Sequence, residues 1–213
     1  KQVTLPNALT YLGSYAFSNC ESLEKINLPD DLGVIEDDTF RNCAALTEIK
    51  LPKNLYGIGS SAFYGSGLTS ITIPNTVTSI GSSAFAYCNL TAVTLPNAIV
   101  TIPNGLFSYC DKLTQVVIPD SVVTVENSAF YFCDELTTVV FGTNVRSIGY
   151  SAFNGCNKLS TLHFLGDAPA MQSSTFSPFL YNYTNITAYY PTNNSSWTAE
   201  VMAGVGDLVG VGL

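Results

Sequence analysis

Apolar positions return at a period of about 23 residues along this chain, in several columns that keep step with one another. The clearest column is aromatic: Phe17, Phe40, Phe63, Phe85, Phe107, Phe130, Phe153 and Phe176, each one period after the last to within a single position. A small residue usually precedes it, as Ala16, Thr39, Ala62 and Ala84 do. A leucine column (Leu23, Leu46, Leu68, Leu90, Leu113, Leu136, Leu159) opens a segment of the form L-x-x-I-x-L that alternates at period two near its end. β-Branched residues dominate that segment, which predicts a short strand in each coil. Proline then follows in most coils (Pro6, Pro29, Pro52, Pro74, Pro96, Pro119), and it ends the strand because it has no N–H for a ladder. A further apolar pair, such as Val77 and Ile80, lies beyond the proline. One such coil cannot bury its own columns; stacked neighbours can.

The pattern therefore predicts an α/β solenoid: a right-handed coil with a parallel, concave β-sheet on one side. Strands about 4.8 Å apart give seven of them a sheet roughly 30 Å long. Three residues ahead of most column phenylalanines stands Ser14, Asp37, Ser60, Ser82, Asn104, Asn127 or Ser173, residue types that satisfy the free N–H groups of a helix start. A single helical or 3₁₀ turn carrying each Phe is expected there, on the convex side. Before that position come Gly13, Gly59, Gly81 and Gly149, but also Glu36, Pro103 and Glu126, so no positive φ is demanded. About seven coils fill residues 1–165, and 166–213 hold a degenerate last repeat and a C-terminal cap. In the cap, Ile186 to Tyr190 reads as a final strand. Ser195 or Ser196 would cap a short helix carrying Trp197, Val201 and Met202, with Trp197 as the plug of the core.

Composition narrows the function. Hydrophobic residues make up 46% and charged residues only 11%, against about 25% charged in an ordinary soluble domain. The net charge is −8, with eight scattered Lys and Arg, which excludes a nucleic-acid partner that needs a concentrated basic surface. No run approaches the roughly 18 apolar residues of a membrane span. The chain opens at Lys1-Gln2-Val3, already inside a repeat, and is expected to be a processed or truncated piece.

The stretch L-T-S-I-T-I-P-N-T-V-T-S-I-G-S-S-A-F-A-Y-C, from Leu68 to Cys88, resembles the BspA-like, Treponema-type 23-residue class of leucine-rich repeats. The likeness extends from Val3 to about Phe176, and the segment from Tyr189 to Trp197 looks like the closing segment of bacterial members. The resemblance implies surface-exposed or secreted proteins of host-associated bacteria and some protozoa, linked to adhesion or co-aggregation. It supplies no catalytic residue.

Candidate chemistry is sparse. All six cysteines (Cys20, Cys43, Cys88, Cys110, Cys133, Cys156) fall three residues after a column Phe. Free buried thiols are expected; disulfides between coils are the alternative, because stacked coils bring Cα atoms to roughly 5 Å, and metal binding is the weakest. His163 is the only histidine and has nothing acidic in register, so no catalytic group is expected. Asp30, Asp31, Glu36, Asp37 and Asp38 cluster without a Ca²⁺-loop pattern. No metal or cofactor is expected. What remains is the outward strand face, where Lys50, Ser70, Thr72, Ala92, Thr94, Gln115, Val117, Thr138, Val140, Thr161 and His163 form two columns of mostly small, uncharged side chains. They are the candidate surface for a protein or glycan partner, in a monomeric, non-enzymatic recognition module. A spacer that presents another domain of a longer protein is the alternative. Tyr64, Tyr87, Tyr109, Tyr131 and Phe132 flank the Phe column on the opposite side, either as an interface or as packing between turns.

Overall fold

The computed structural model describes residues 1–172, 175, 186–198, 201 and 208–212. Its strands begin β1 (Gln2–Thr4), β2 (Lys25–Asn27), β3 (Val34–Ile35), β4 (Gly57–Ile58), β5 (Ser70–Thr72), β6 (Ser79–Ile80), β7 (Ala92–Thr94) and β8 (Thr101–Ile102). They continue with β9 (Gln115–Ile118), β10 (Thr124–Val125), β11 (Thr138–Phe141), β12 (Ser147–Ile148), β13 (Thr161–Phe164), β14 (Ala170–Met171), β15 (Ile186–Tyr190) and β16 (Leu208–Gly212). Neighbours pair in parallel, coil on coil. The L-x-x-I-x-L segments build a first wall, and the apolar pairs beyond the proline build a second wall of two-residue strands. In β2 and β5 the middle isoleucine is buried while both neighbours face out, as a period of two requires.

The first wall is not the single sheet that the sequence predicts. It is divided into β1-β2, β5-β7 and β9-β11-β13-β15-β16. Turn length accounts for part of the division. Two residues lie between Cys20 and Leu23 and between Cys110 and Leu113, but only one between Ser66 and Leu68 and between Cys88 and Leu90. In the longer turn the leucine N–H closes onto the cysteine carbonyl, at 2.9 Å in Leu23 and 3.0 Å in Leu113. The two strands entered through the shorter turn, β5 and β7, pair with each other. The ladder is lost where the two turn lengths meet, between β7 and β9, while residues 46–50, entered like β2 through the longer turn, form no strand.

The third wall carries the phenylalanines, and it is not helical. From Phe17 to Phe153, the residues two before and two after each column Phe hold positive φ: Tyr15 and Asn19 (61° and 58°), Asp38 and Asn42 (54° and 55°), Ser83 and Tyr87 (56° and 59°). A left-handed residue on either side of the Phe interrupts any run of right-handed turns, so the expected helical or 3₁₀ turn cannot form. The backbone instead donates alternately inward and onward. Ser18 N–H bonds Tyr15 within its coil, while Phe17 and Asn19 donate to Thr39 and Arg41 of the next coil at 2.9 and 2.7 Å. The expected caps also act between coils: Asp37 Oδ1 accepts from Ser60 N–H at 2.6 Å, and Asn127 Oδ1 from Tyr150 N–H at 2.8 Å. None of Gly13, Gly59, Gly81 and Gly149 has a positive φ. Close approach selects glycine instead, since a Cβ on Gly81 would lie 2.3 Å from the backbone nitrogen of Ser60.

The walls enclose one core. The rings from Phe17 to Phe153 stack in sequence with centroids 5.0–5.8 Å apart and planes within 22°. Phe176, Ser173 and Met202 lie outside the described residues. At the C-terminal end Trp197 is buried against Phe164 and Tyr190, at 4.8 and 5.1 Å, and its Nε1–H donates to the Gly166 carbonyl at 3.0 Å. Neither Ser195 nor Ser196 caps a helix there. Ser196 Oγ accepts from Ala168 N–H, and the cap-like bond runs from Val201 N–H to Thr198 Oγ1 at 3.2 Å. Among the described residues only Val201 is helical.

Candidate functional site

The outward face of the first wall brings most of the expected residues into register. Ser70 pairs with Ala92 and Thr72 with Thr94. Beyond the break, Gln115, Thr138 and Thr161 form one row, and Val117, Val140 and His163 the other. From Ser70 to Val117 these residues are exposed; from Thr138 to His163 they are half-buried. Val117 is 62% exposed, an apolar side chain presented to solvent rather than tucked into a fold. Lys50 does not join a ladder. It borders a shallow depression of about 700 Å³ at the break, shared with Ser70, Thr72, Glu48 and Lys53. Lys53 is drawn away by Asp30 at 2.9 Å, and that hydrogen bond raises the lysine and lowers the aspartate from their ordinary values.

The rows run further than the repeat pattern reaches. In β15, Thr187 pairs with Thr161 and Tyr189 with His163. The Tyr189 ring stacks on His163 at 4.7 Å with an 11° tilt. Both follow their partners by a longer interval than the other coils keep, so periodicity misses them, although the alternation of Ile186–Tyr190 marks the strand. A threonine column at the start of the wall keeps the repeat period but is not among the expected site residues: Thr69, Thr91 and Thr137 donate their hydroxyls to the carbonyl of the threonine one coil earlier, at 3.3, 3.1 and 3.0 Å. His163 thus lies between Val140 and Tyr189 in its row.

The cysteines and several of the carboxylates have structural partners. All six cysteines are free thiols. Five donate to the phenylalanine carbonyl of the preceding coil; Cys88 to Phe63 and Cys110 to Phe85 both measure 3.1 Å. A thiol at this position is a small hydrophobe with one weak donor, which suits a buried carbonyl. Burial pushes the Cys43 thiol up to about 11 and that of Cys88 up to about 12, so neither is a nucleophile near neutral pH. In the acidic cluster Asp30 pairs with Lys53, Asp37 bonds Ser60 and Asp38 pairs with Arg41. Among the described residues no three His, Cys, Asp or Glu side chains converge as a metal would need.

With this geometry in place, comparison with known proteins decides the family. Six copies of the BspA type leucine rich repeat region match the chain, over residues 1–91 and 78–196. The chain belongs to the BspA-type leucine-rich-repeat family. This repeat protein is similar in fold to a leucine-rich repeat protein from Bacteroides ovatus, with a TM-score of 0.63 and 24% identity over 99% of this chain and 74% of that one. It is also similar to the pneumococcal vaccine antigen PcpA, with a TM-score of 0.62 and 17% identity over 99% of this chain and 54% of that one. No curated protein matches it in sequence. The BspA-type repeat accounts for the strand, proline, Phe and Cys columns together.

Proposed function

We propose that this BspA-type repeat protein is a non-enzymatic recognition module, surface-exposed or secreted, that holds a protein partner on the outward face of its first wall. Repeat proteins of this family generally mediate protein interactions. The observation that carries the assignment is the pair of rows from Ser70 and Thr72 to Thr187 and Tyr189: uncharged, mostly small, and held in register by parallel ladders on either side of the break. Such a face meets a partner without reordering its backbone, which lowers the entropy cost of association. Val117 and the stacked His163–Tyr189 pair supply the apolar and aromatic anchors that carry binding energy at interfaces. The test is binding of the isolated chain to a panel of host-matrix proteins and glycans, repeated with Thr72→Lys and Thr94→Lys. Loss of a protein ligand in both variants supports the assignment. A glycan ligand alone changes the partner class, and a flat panel favours a spacer role.

A further inference from the structure

We infer that the aromatic ridge on the third wall is a second interaction surface, which takes an arginine-bearing segment of a basic partner protein. The ridge is built at a conformational cost. Tyr87, Tyr109 and Phe132 occupy the position two residues beyond the column Phe in three successive coils, at φ of 59°, 59° and 55°. Other coils place Asn19, Asn42, Gly65 and Gly155 there, the residue types that tolerate a left-handed backbone. Bulky aromatics at this conformation are outliers, and such strain concentrates at functional sites. Tyr87, Tyr109 and Phe132 stack at 4.5 and 5.3 Å, while Tyr87 and Tyr109 stay 47% and 36% exposed. The core has its own phenylalanine stack and does not need this one.

The coil before the ridge already holds a guanidinium on an aromatic face. The guanidinium of Arg41 lies 4.1 Å from the Tyr64 ring centroid, steadied by Asp38 at 3.1 Å. Three coils later Tyr131 occupies the position of Tyr64, and the place of Arg41 is taken by the small side chain of Ser108. The Tyr131 ring is half-buried and lies across the stack, at 78° to Tyr109 and 66° to Phe132. Asp111 and Asp134 follow two residues after Tyr109 and Phe132. Burial, and then the Asp111 charge, hold the Asp134 carboxyl above its usual range. The nearby Lys158 is engaged by both oxygens of Glu135 at 2.7 Å, and Asn157 gives Asp134 only a neutral bond. An aromatic face beside paired carboxylates favours a planar guanidinium over a compact ammonium. The net charge of −8 favours a basic partner. A sugar is disfavoured, because the faces of Tyr87, Tyr109 and Phe132 are directed at one another.

The test is fluorescence anisotropy of labelled octa-arginine and octa-lysine peptides on the whole chain. Octa-arginine is expected to bind at least tenfold more tightly than octa-lysine. Tyr131→Leu, and separately Asp111→Asn with Asp134→Asn, should each weaken it at least fivefold, while Val100→Ser, at an exposed position away from both surfaces, leaves it unchanged. Tyr109→Asn places a tolerated residue at the strained position, so it should keep its melting temperature and still lose affinity. Equal binding of the two peptides, binding retained in the Tyr131 and carboxylate variants, or no binding at all would each overturn the proposal.

Discussion

The Phe132 ring lies flat against the bare backbone of Gly155, so close that a Cβ at Gly155 would sit 2.8 Å from the ring. Gly155 also holds a φ of 80°. Gly155→Ala is therefore strained in its backbone and clashes with its neighbour, and we expect a loss of about 2 kcal/mol in urea unfolding. Phe132→Asn in the same background should recover part of it. A loss no larger than that of an ordinary surface substitution would show that the ring swings aside.

The left-handed serines make a cleaner test of the third wall. Ser83, at φ 56°, should accept glycine within about 0.5 kcal/mol, while Ser83→Val should cost about 2 kcal/mol because a β-branched side chain opposes that conformation. Equal stability of the two variants would restore the helical turn.

Trp197 closes the stack. Trp197→Ala removes its contacts with Phe164 and Tyr190 and its bond to Gly166, and should destabilise the chain by about 3 kcal/mol or more. A change below about 0.5 kcal/mol, the range of a surface substitution, would deny it any capping role.

The thiols predict an alkaline limit. Folded Cys88 titrates at about 12, above its ordinary value near 9. The unfolded chain therefore releases that proton first, and the stabilisation is complete below about pH 9 and declines above it. The slope is about 1.4 kcal/mol per pH unit for this one thiol, until its folded pKa is reached. Stability that stays level from pH 9 to 11 would contradict the buried ladder. Denatured protein should titrate six thiols, and the native protein at neutral pH only the half-exposed Cys20 promptly; fewer than about five in denaturant would point to bridges.

The core is legible in the sequence because burial is periodic: Phe63, Phe85 and Phe107 recur on schedule and do stack. The third wall is not, because Ser, Asp and Asn serve equally at a helix cap and at a left-handed residue. Asp37 and Asn127 bond the next coil, a partner one full period away that no local pattern reveals. Breaks in the first wall are implicit in the missing residue before Leu68 and Leu90, yet only the pairing shows what that loss does. On the candidate surface the spacing names the columns through His163 but not Thr187 and Tyr189, where the period changes.

The ladders join each coil to its immediate neighbours, as Phe17 to Thr39 and Phe40 to Ala62. A pull on the two ends would peel the molecule turn by turn from a terminus instead of rupturing it at once. Each detached turn, about 23 residues long, releases about 75 Å of slack. Anchored at one end and gripped at the other, such a chain behaves as an extensible tether that yields in small steps and rewinds when the load is gone.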